Sequence, residues 1–220
     1  MYKQKREDMV QSLERRGYLE SSEVIEAFRK VPREKFVPSS VRGDAYADRP
    51  LSIGEGQTIS APSMIAIMLE VLKAKDGDKI LEIGTGSGYN AALMAEIIGP
   101  VGEVHSIERI KTVAETGREN LERNGYEQVK VIVRDGTKGF EEEAPWDKII
   151  ITACAPEVPD PLIEQLKVGG KLVAPVGEYY RSQTLLEVEK VNEEETKVRR
   201  HGSCAFVPLV GEYGWDEGKV

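Results

Sequence analysis

The strongest constraint on the fold is a regular alternation of short apolar segments with helical segments over residues 79–175. Near-continuous apolar runs, such as the three isoleucines at 149–151, are typical of strands that are covered on both faces. Strands that alternate with helical patterns predict a parallel sheet with helices on both faces. The predicted strands are residues 79–83, 103–107, 129–133, 147–152 and 171–175, and the predicted helices are 89–98, 110–124 and 161–166.

The two ends of the chain have a different character from this middle part. Two amphipathic helices are predicted before Pro32, and residues 33–59 form a long Pro- and Gly-rich loop without a clear period. Ordered loops of this length are usually functional. Near the other end, residues 184–191 and 196–207 are strand-like and flank a polar turn, which predicts an antiparallel pair.

The predicted fold is therefore α/β, with a doubly wound, mostly parallel, Rossmann-like sheet of the seven-stranded type. An antiparallel C-terminal strand pair closes the sheet, and an N-terminal helical annex precedes it. We expect one domain over residues 1–220, which consists of an N-terminal annex and loop, a ligand-binding core and C-terminal strands. Their ranges are 1–59, 60–177 and 178–220.

Composition excludes several classes of function. The chain has 30 Lys and Arg against 38 Asp and Glu, a net charge of −8, which disfavours sequence-independent binding to nucleic acid. No apolar stretch is long enough for a bilayer span, and no signal-peptide pattern opens the chain.

The cysteine content bears on the compartment. The two cysteines, Cys154 and Cys204, are too few for a disulfide framework, so we expect the protein to be located in a reducing cytoplasm. His201 and Cys204 alone make no zinc site, so no metal is predicted. Plentiful Glu, Lys and Arg with few Asn and Gln lean towards a thermophile.

A glycine-rich turn follows the first predicted strand of the core. Gly84, Gly86 and Gly88 stand at alternate positions, where they allow a tight turn and the close approach of a ligand to the backbone. A dinucleotide fingerprint would need a glycine at the position that Tyr89 occupies. The loop therefore favours a nucleoside without phosphates over a pyrophosphate.

Acidic residues end the next two predicted strands. Glu108 lies twenty residues beyond Gly88, where a carboxylate can accept hydrogen bonds from ribose hydroxyls. Asp135 and Gly136 end the third strand, at the position expected to contact an adenine. Glu108 could instead form an exposed pair with Arg109, and Asp-Gly could be a plain turn. Together the three strand ends indicate S-adenosylmethionine, with NAD as the second choice.

These motifs resemble those of class I methyltransferases, and the segment before them is more specific. Residues 54–62, Gly-Glu-Gly-Gln-Thr-Ile-Ser-Ala-Pro, resemble the signature of protein-L-isoaspartate O-methyltransferases. The resemblance extends from about residue 31 to residue 215. The sequence departs from the family pattern at two positions. Arg134 stands where the family often has a glycine, and Cys154 interrupts a segment that is otherwise Ala-rich. Further matching segments are 82–90, 106–109, 144–147, 165–170 and 206–209.

The resemblance implies methyl transfer from S-adenosylmethionine to the free α-carboxylate of an L-isoaspartyl residue. The products would be S-adenosylhomocysteine and a methyl ester that collapses to a succinimide. Such a carboxylate is ionised at pH 7, so the reaction needs no general base. The implied partners are isoaspartyl proteins and peptides, with no nucleic acid or membrane, and the implied state is a monomer.

The resemblance also assigns roles to residues. Ser60 is the candidate catalytic residue, since its hydroxyl could hydrogen-bond the substrate carboxylate. A helix is also predicted to start at residues 60–62, because Ile65, Met68, Leu69 and Leu72 have helical spacing. The alternative is that Ser60 only caps this helix. The expected cofactor-binding residues are Thr58, Ile59, Ser60, Glu82, Gly84, Thr85, Gly86, Ser87, Gly88, Glu108, Arg109, Asp135, Gly136 and Thr152.

Other functions stay open at this stage. A nucleic-acid amino-methyltransferase would carry an Asn/Asp-Pro-Pro-aromatic segment after the fourth strand, but residues 152–156 are Thr-Ala-Cys-Ala-Pro. A small-molecule methyltransferase remains an alternative. A non-enzymatic scaffold or cofactor sensor is disfavoured by the intact glycines and Glu108.

Overall fold

The secondary structure follows the predicted order, with additions in the N-terminal part. The computed structural model describes residues 1–219. Its α-helices are α1 (Tyr2–Arg15), α2 (Ser22–Lys30), α3 (Pro62–Leu72), α4 (Tyr89–Ile98), α5 (Lys111–Arg123) and α6 (Asp160–Glu164). Its strands are β1 (Leu51–Gly54), β2 (Gln57–Ile59), β3 (Lys79–Ile83), β4 (Glu103–Glu108), β5 (Lys130–Val133), β6 (Trp146–Ile151), β7 (Leu166–Val176), β8 (Gln183–Lys190) and β9 (Thr196–Cys204).

Seven of these strands form one sheet in the order β5-β4-β3-β6-β7-β8-β9. The pairs from β5 to β7 are parallel, and β8 and β9 continue the sheet as antiparallel strands. The predicted doubly wound sheet with an antiparallel C-terminal pair is confirmed. The chain leaves β3 on one side towards β4 and later returns to its other side as β6. This reversal is the switch point at which ligands bind in open α/β sheets.

Two hydrophobic cores cover the two faces of the sheet. Alternate residues of β3 point to opposite faces, so Ile80 belongs to one core while Leu81 and Ile83 belong to the other. The first core includes the apolar faces of α1 to α4, and the second includes Trp146 and Leu162 of α6. No helix within residues 1–219 is long and apolar enough to cross a bilayer.

The predicted loop over residues 33–59 contains an unpredicted hairpin. β1 and β2 pair antiparallel around Glu55 and Gly56, whose φ angles of 51° and 70° suit a two-residue type I′ turn. Strands of four and three residues are too short to show a period in the sequence. Two short 3-10 helices, Arg33–Lys35 and Ser39–Asp44, precede the hairpin. The segment is therefore ordered and lies against the core through Phe36 and Leu51.

Some boundaries also differ from the prediction. β7 begins at Leu166, five residues earlier than expected, because Leu166 pairs with Trp146 before the register shifts. Gly169, with a φ of 80°, lies within this irregular part of the strand. At the other end, β9 stops at Cys204 rather than at residue 207. Residues 207–209 leave the edge of the sheet and hydrogen-bond to Cys154 instead.

Helix α5 packs against the glycine-rich loop through a glycine of its own. A Cβ at Gly117 would lie 2.8 Å from the carbonyl oxygen of Gly86 and 2.9 Å from Cγ2 of Thr85. Conversely, a Cβ at Gly88 would lie 2.9 Å from the Gly117 carbonyl oxygen and 2.9 Å from Cγ of Leu121. The two backbones are therefore in contact, and side chains are excluded from both.

This contact reverses the usual effect of alanine in a helix. Gly→Ala in a helix interior normally stabilises a protein by about 1 kcal/mol. We expect Gly117→Ala to lower the free energy of unfolding by about 1–3 kcal/mol instead, because the methyl group overlaps backbone atoms. Urea unfolding measures the change. The control is Gly43→Ala, since a Cβ there meets no atom within 4 Å. A Gly117→Ala variant more stable than the parent would show that loop and helix are not in this contact.

Candidate active site

The carboxyl ends of β3, β4 and β6 surround a cavity of about 380 Å³. This volume is in the usual range for small-molecule sites. The loop after β3 forms its floor, Glu108 lies at the end of β4, and Thr152 follows β6. Residues 207–210 form another wall. Of the expected cofactor-binding residues, the cavity brings together Thr58, Gly84, Gly86, Glu108, Arg109 and Thr152.

Gly84 has a backbone conformation that no other residue can adopt without strain. Its φ is 103°, and a Cβ would overlap the Thr152 hydroxyl oxygen. That hydroxyl donates to the carbonyl oxygen of Gly84 at 2.9 Å. Gly86 also has a positive φ, of 53°, and the side chain of Ile53 in β1 lies over it. The floor of the cavity is therefore bare backbone, which a flat ligand can approach closely.

The Glu108 carboxylate is held in place by two backbone donors. Its Oε2 accepts a hydrogen bond from the Gly86 N–H at 3.2 Å, and its Oε1 accepts one from the Ile110 N–H at 3.1 Å. Each carboxylate oxygen can accept a further hydrogen bond. The side chain is 8% exposed and lines the cavity. It can therefore accept hydrogen bonds from both hydroxyls of a ribose.

The neighbouring Arg109 forms an ion pair with Glu217 at 2.9 Å. The alternative prediction, an exposed ion pair between Glu108 and Arg109, is therefore wrong.

Glu82 lies beneath the glycine-rich loop rather than in the cavity. It is fully buried, and its carboxylate accepts hydrogen bonds from Asn90 Nδ2 at 2.8 Å and from the Ser106 hydroxyl at 2.5 Å. A further bond of 2.7 Å links the Ser106 and Thr85 hydroxyls. Desolvation, together with the negative charge of Glu108, raises the pKa of Glu82 to about 7 despite these donors. Its contacts support the loop from below, and direct cofactor contact by Glu82 stays a prediction.

Asp135 is also engaged outside the cavity. Its Oδ1 accepts hydrogen bonds from the backbone N–H and the hydroxyl of Thr137, at 2.9 and 2.7 Å. Its Oδ2 accepts one from the backbone N–H of Glu212 at 2.9 Å. The carboxylate therefore joins the end of β5 to the C-terminal segment. Neither Asp135 nor Gly136 lines the cavity, and their contact with an adenine stays a prediction.

A smaller cavity of about 50 Å³ adjoins the first and contains Ser60. Thr58, Gly84, Gly86 and Thr152 line both cavities, so the two are neighbours across the glycine-rich loop. Among the expected residues, the smaller cavity adds Ile59, Ser60, Thr85 and Ser87. Gly88 lines neither cavity; it is the left-handed residue before α4, with a φ of 84°. Asn90 and Phe206 also line the smaller cavity. Neither was among the expected site residues, although both lie in segments that carry the family resemblance.

Ser60 does not cap the following helix. The N-cap of α3 is Ala61, and no side chain caps that helix. The alternative in which Ser60 serves only as an N-cap is therefore wrong. Its backbone carbonyl accepts a hydrogen bond from Arg33 at 2.7 Å. Its hydroxyl makes no hydrogen bond within the described residues, so it is available to a ligand in the smaller cavity.

Comparison with known proteins decides the family. Residues 4–214 match the family model of protein-L-isoaspartate (D-aspartate) O-methyltransferase. The chain belongs to this family. It is 52% identical over 218 residues to a protein-L-isoaspartate O-methyltransferase of Methanopyrus kandleri, covering 99% of this chain and 96% of the relative.

Solved structures of the same family share the fold. A protein-L-isoaspartate O-methyltransferase structure superposes with a TM-score of 0.87 at 32% identity, over 95% of this chain and 67% of the other. A putative protein-L-isoaspartate O-methyltransferase from Plasmodium falciparum, in complex with S-adenosyl-L-homocysteine, has a TM-score of 0.81 at 31% identity. That match covers 92% of this chain and 97% of the other.

The buried Glu82 predicts a pH dependence of stability. Its folded-state pKa of about 7 exceeds the ordinary value of 4.5, so the folded protein binds this proton more tightly than the unfolded chain. The free energy of unfolding should therefore fall by about 3 kcal/mol between pH 5 and pH 8 through this group. Glu82→Gln should remove most of that fall, as measured by urea unfolding at both pH values.

The exposed Glu157 provides the control for this measurement. Glu157→Gln should leave the difference in stability between the two pH values as it is in the parent protein. An equal pH dependence in Glu82→Gln and the parent would contradict the assignment of the titration to Glu82.

Proposed function

We propose that this chain transfers a methyl group from S-adenosylmethionine to the free α-carboxylate of L-isoaspartyl residues in proteins and peptides, with Ser60 as the residue that holds the carboxylate. The observation that supports this role is the unengaged Ser60 hydroxyl, in a cavity that adjoins the glycine-rich loop. Family membership supplies the reaction. The products are S-adenosylhomocysteine and a methyl ester, which closes to a succinimide.

The residues around the larger cavity fit S-adenosylmethionine. The bare backbone at Gly84 and Gly86 leaves room for the methionyl part, and Glu108 can accept hydrogen bonds from both ribose hydroxyls. The negative charge of Glu108 would also reject a 2′-phosphate. When bound, S-adenosylmethionine supplies a methyl group that its positively charged sulfur already activates.

The protein's own residues then position the substrate rather than move a proton. The isoaspartyl carboxylate is ionised at neutral pH, so no general base is needed. The Ser60 hydroxyl donates a hydrogen bond to one carboxylate oxygen and leaves the other oxygen free to react. Ile59 and Phe206, which line the same cavity, exclude water from it. Correct alignment of two reactants lowers a barrier by about 7–11 kcal/mol.

Further properties belong to the same proposal. The charge of −8 and the absence of a basic stripe support a protein substrate rather than nucleic acid. Cys154 and Cys204 are both free, which supports a reducing compartment such as the cytoplasm. We propose that the enzyme acts as a monomer, and that residues 1–59 form the substrate side of a single domain.

The Ser60 hydroxyl should matter for the substrate and little for the cofactor. A hydrogen bond to a charged group contributes about 1.5–3 kcal/mol, so we expect Ser60→Ala to lower kcat/KM for an isoaspartyl peptide by about ten- to a hundredfold. The affinity for S-adenosylhomocysteine, measured by calorimetry, should change by less than about threefold. Ser182→Ala, at an exposed serine outside residues 1–59, is the control. Full methyl transfer by Ser60→Ala would refute this role.

Substrate specificity tests the reaction itself. Two peptides of the same sequence, one with L-isoaspartate and one with ordinary aspartate, are incubated with the enzyme and methyl-labelled S-adenosylmethionine. We expect label in base-labile methyl esters of the isoaspartyl peptide only, since the aspartyl twin lacks an α-carboxylate at that position. Equal labelling of both peptides, or of neither, would contradict the proposed function.

A further inference from the structure

Arg33 is a fully buried arginine directly behind Ser60. It follows Pro32 at the start of a 3-10 helix and is 0% exposed. Its Nη2 donates a hydrogen bond to the carbonyl oxygen of Ser60 at 2.7 Å, and its Nε donates one to the carbonyl oxygen of Ala45 at 2.7 Å. Its Nη1 is buried without a hydrogen-bond partner. Burial of this kind is rare for arginine unless a carboxylate pairs with it.

No carboxylate forms a salt bridge with Arg33 within residues 1–219. The neighbouring acids are engaged elsewhere. Asp48 pairs with Arg16 at 2.6 Å and accepts a hydrogen bond from the backbone N–H of Ser63. Glu34 accepts a hydrogen bond from the Tyr46 hydroxyl. The positive charge of Arg33 is therefore left without a neutralising partner.

The guanidinium group contacts two segments of the site. On one side it holds the Ser60 carbonyl, and on the other its central carbon lies 5.1 Å from the ring centre of Tyr89. Tyr89 is the first residue of α4 and directly follows the glycine-rich loop. Arg33 thus contacts both the residue proposed to hold the substrate and the start of α4, where Asn90 lines the same smaller cavity.

A buried charge without a counter-ion is costly, because its hydration is lost and no partner compensates. Burial lowers the pKa of Arg33 to about 10, so the group is still positively charged at neutral pH. Such a charge acts strongly on nearby ligands, since the interior screens it less than water does. Ser60, whose carbonyl oxygen the guanidinium contacts, lines the smaller cavity, and the proposed ligand of that cavity is an anion.

We propose that Arg33 is a positioning residue of the substrate site: it fixes the peptide group of Ser60 and places a positive charge behind it, so that the cavity prefers a carboxylate to a neutral amide. The inference rests on the proposed function, which supplies the carboxylate. It also explains how a protein of net charge −8 attracts an anionic group, because the decisive charge is local and buried.

A purely structural role for Arg33 makes a different prediction. Its two hydrogen bonds connect the segment around Ala45 with Ser60, and losing them would loosen the site for every ligand. A structural role therefore lowers the affinity for neutral and anionic peptides equally. The proposed role lowers the affinity for the anionic peptide more than the affinity for the neutral one.

The experiment measures peptide binding to the enzyme saturated with S-adenosylhomocysteine. Titration calorimetry compares an L-isoaspartyl peptide with its twin in which the α-carboxylate is a carboxamide. The variants are Arg33→Gln, which removes the charge, and Arg33→Lys, which keeps it. The control is Arg200→Gln, at an exposed arginine of β9. Thermal unfolding of each variant records its stability separately.

We expect the parent to bind the isoaspartyl peptide more tightly than the carboxamide, and Arg33→Gln to reduce that preference by about tenfold. Arg33→Lys should retain the preference to within about threefold even where its stability is lower, and Arg200→Gln should leave it unchanged. An undiminished preference in Arg33→Gln would overturn the proposal, and so would its loss in Arg33→Lys.

Salt tests the parent protein without any substitution. At 1 M salt, interactions between exposed charges are screened over about 3 Å, so a preference that comes from buried Arg33 should persist. Its disappearance at 1 M NaCl would overturn the proposal even if Arg33→Gln failed to fold. A parent enzyme that neither binds nor methylates the isoaspartyl peptide would instead refute the proposed function.

Discussion

Contact between two backbones, that of the glycine-rich loop and that of α5, determines the geometry of the active site. Gly117 lets the helix approach the carbonyl of Gly86, and Gly88 lets the loop approach the helix. The loop held in this way directs the Gly86 N–H towards Glu108. Thr152 closes the same loop from the other side, through its hydrogen bond to the Gly84 carbonyl. Glycines therefore leave space for a ligand at the cavity floor, and the Thr152 side chain supports the loop from the other side.

The two halves of the site are held by different kinds of interaction. On the cofactor side, backbone contacts and neutral hydrogen bonds fix the loop, and a buried carboxyl, Glu82, lies beneath it. On the substrate side, a buried cation, Arg33, holds the end of the β1–β2 hairpin through Ser60. Glu82 and Arg33 do not pair with each other, and the hydrogen-bond partners of both are neutral groups. Nη1 of Arg33 has no hydrogen-bond partner, which leaves the charge of Arg33 free to act on a ligand.

The sequence was sufficient to predict the sheet, because strands that are covered on both faces carry near-continuous apolar runs. These runs are easily distinguished from the helical segments between them. Ten of the 23 residues that line the two cavities were among those expected at the site. Seven of these ten lie at strand ends, and the other three, residues 58–60, were expected from the family resemblance. The sequence could not predict the β1–β2 hairpin, whose strands are too short for a pattern, nor Arg33, because an arginine among charged residues is usually exposed. The sequence could not predict the distant hydrogen-bond partner of Asp135 either. This partner is the backbone of Glu212, and only the fold brings these two positions together.

The C-terminal segment completes the larger cavity, although residues 207–210 are distant in sequence from the strands that surround it. Residues 207–210 form one wall, and the backbone of Leu209 hydrogen-bonds to Cys154 at 2.7 Å. The indole of Trp215 donates to the carbonyl of Cys154 at 3.0 Å. A chain still on the ribosome therefore makes the glycine-rich loop earlier than this wall. The larger cavity, which we propose as the cofactor site, is incomplete until residues 207–215 have been synthesised and have folded back onto the sheet. Cofactor binding there would therefore report that this segment has folded.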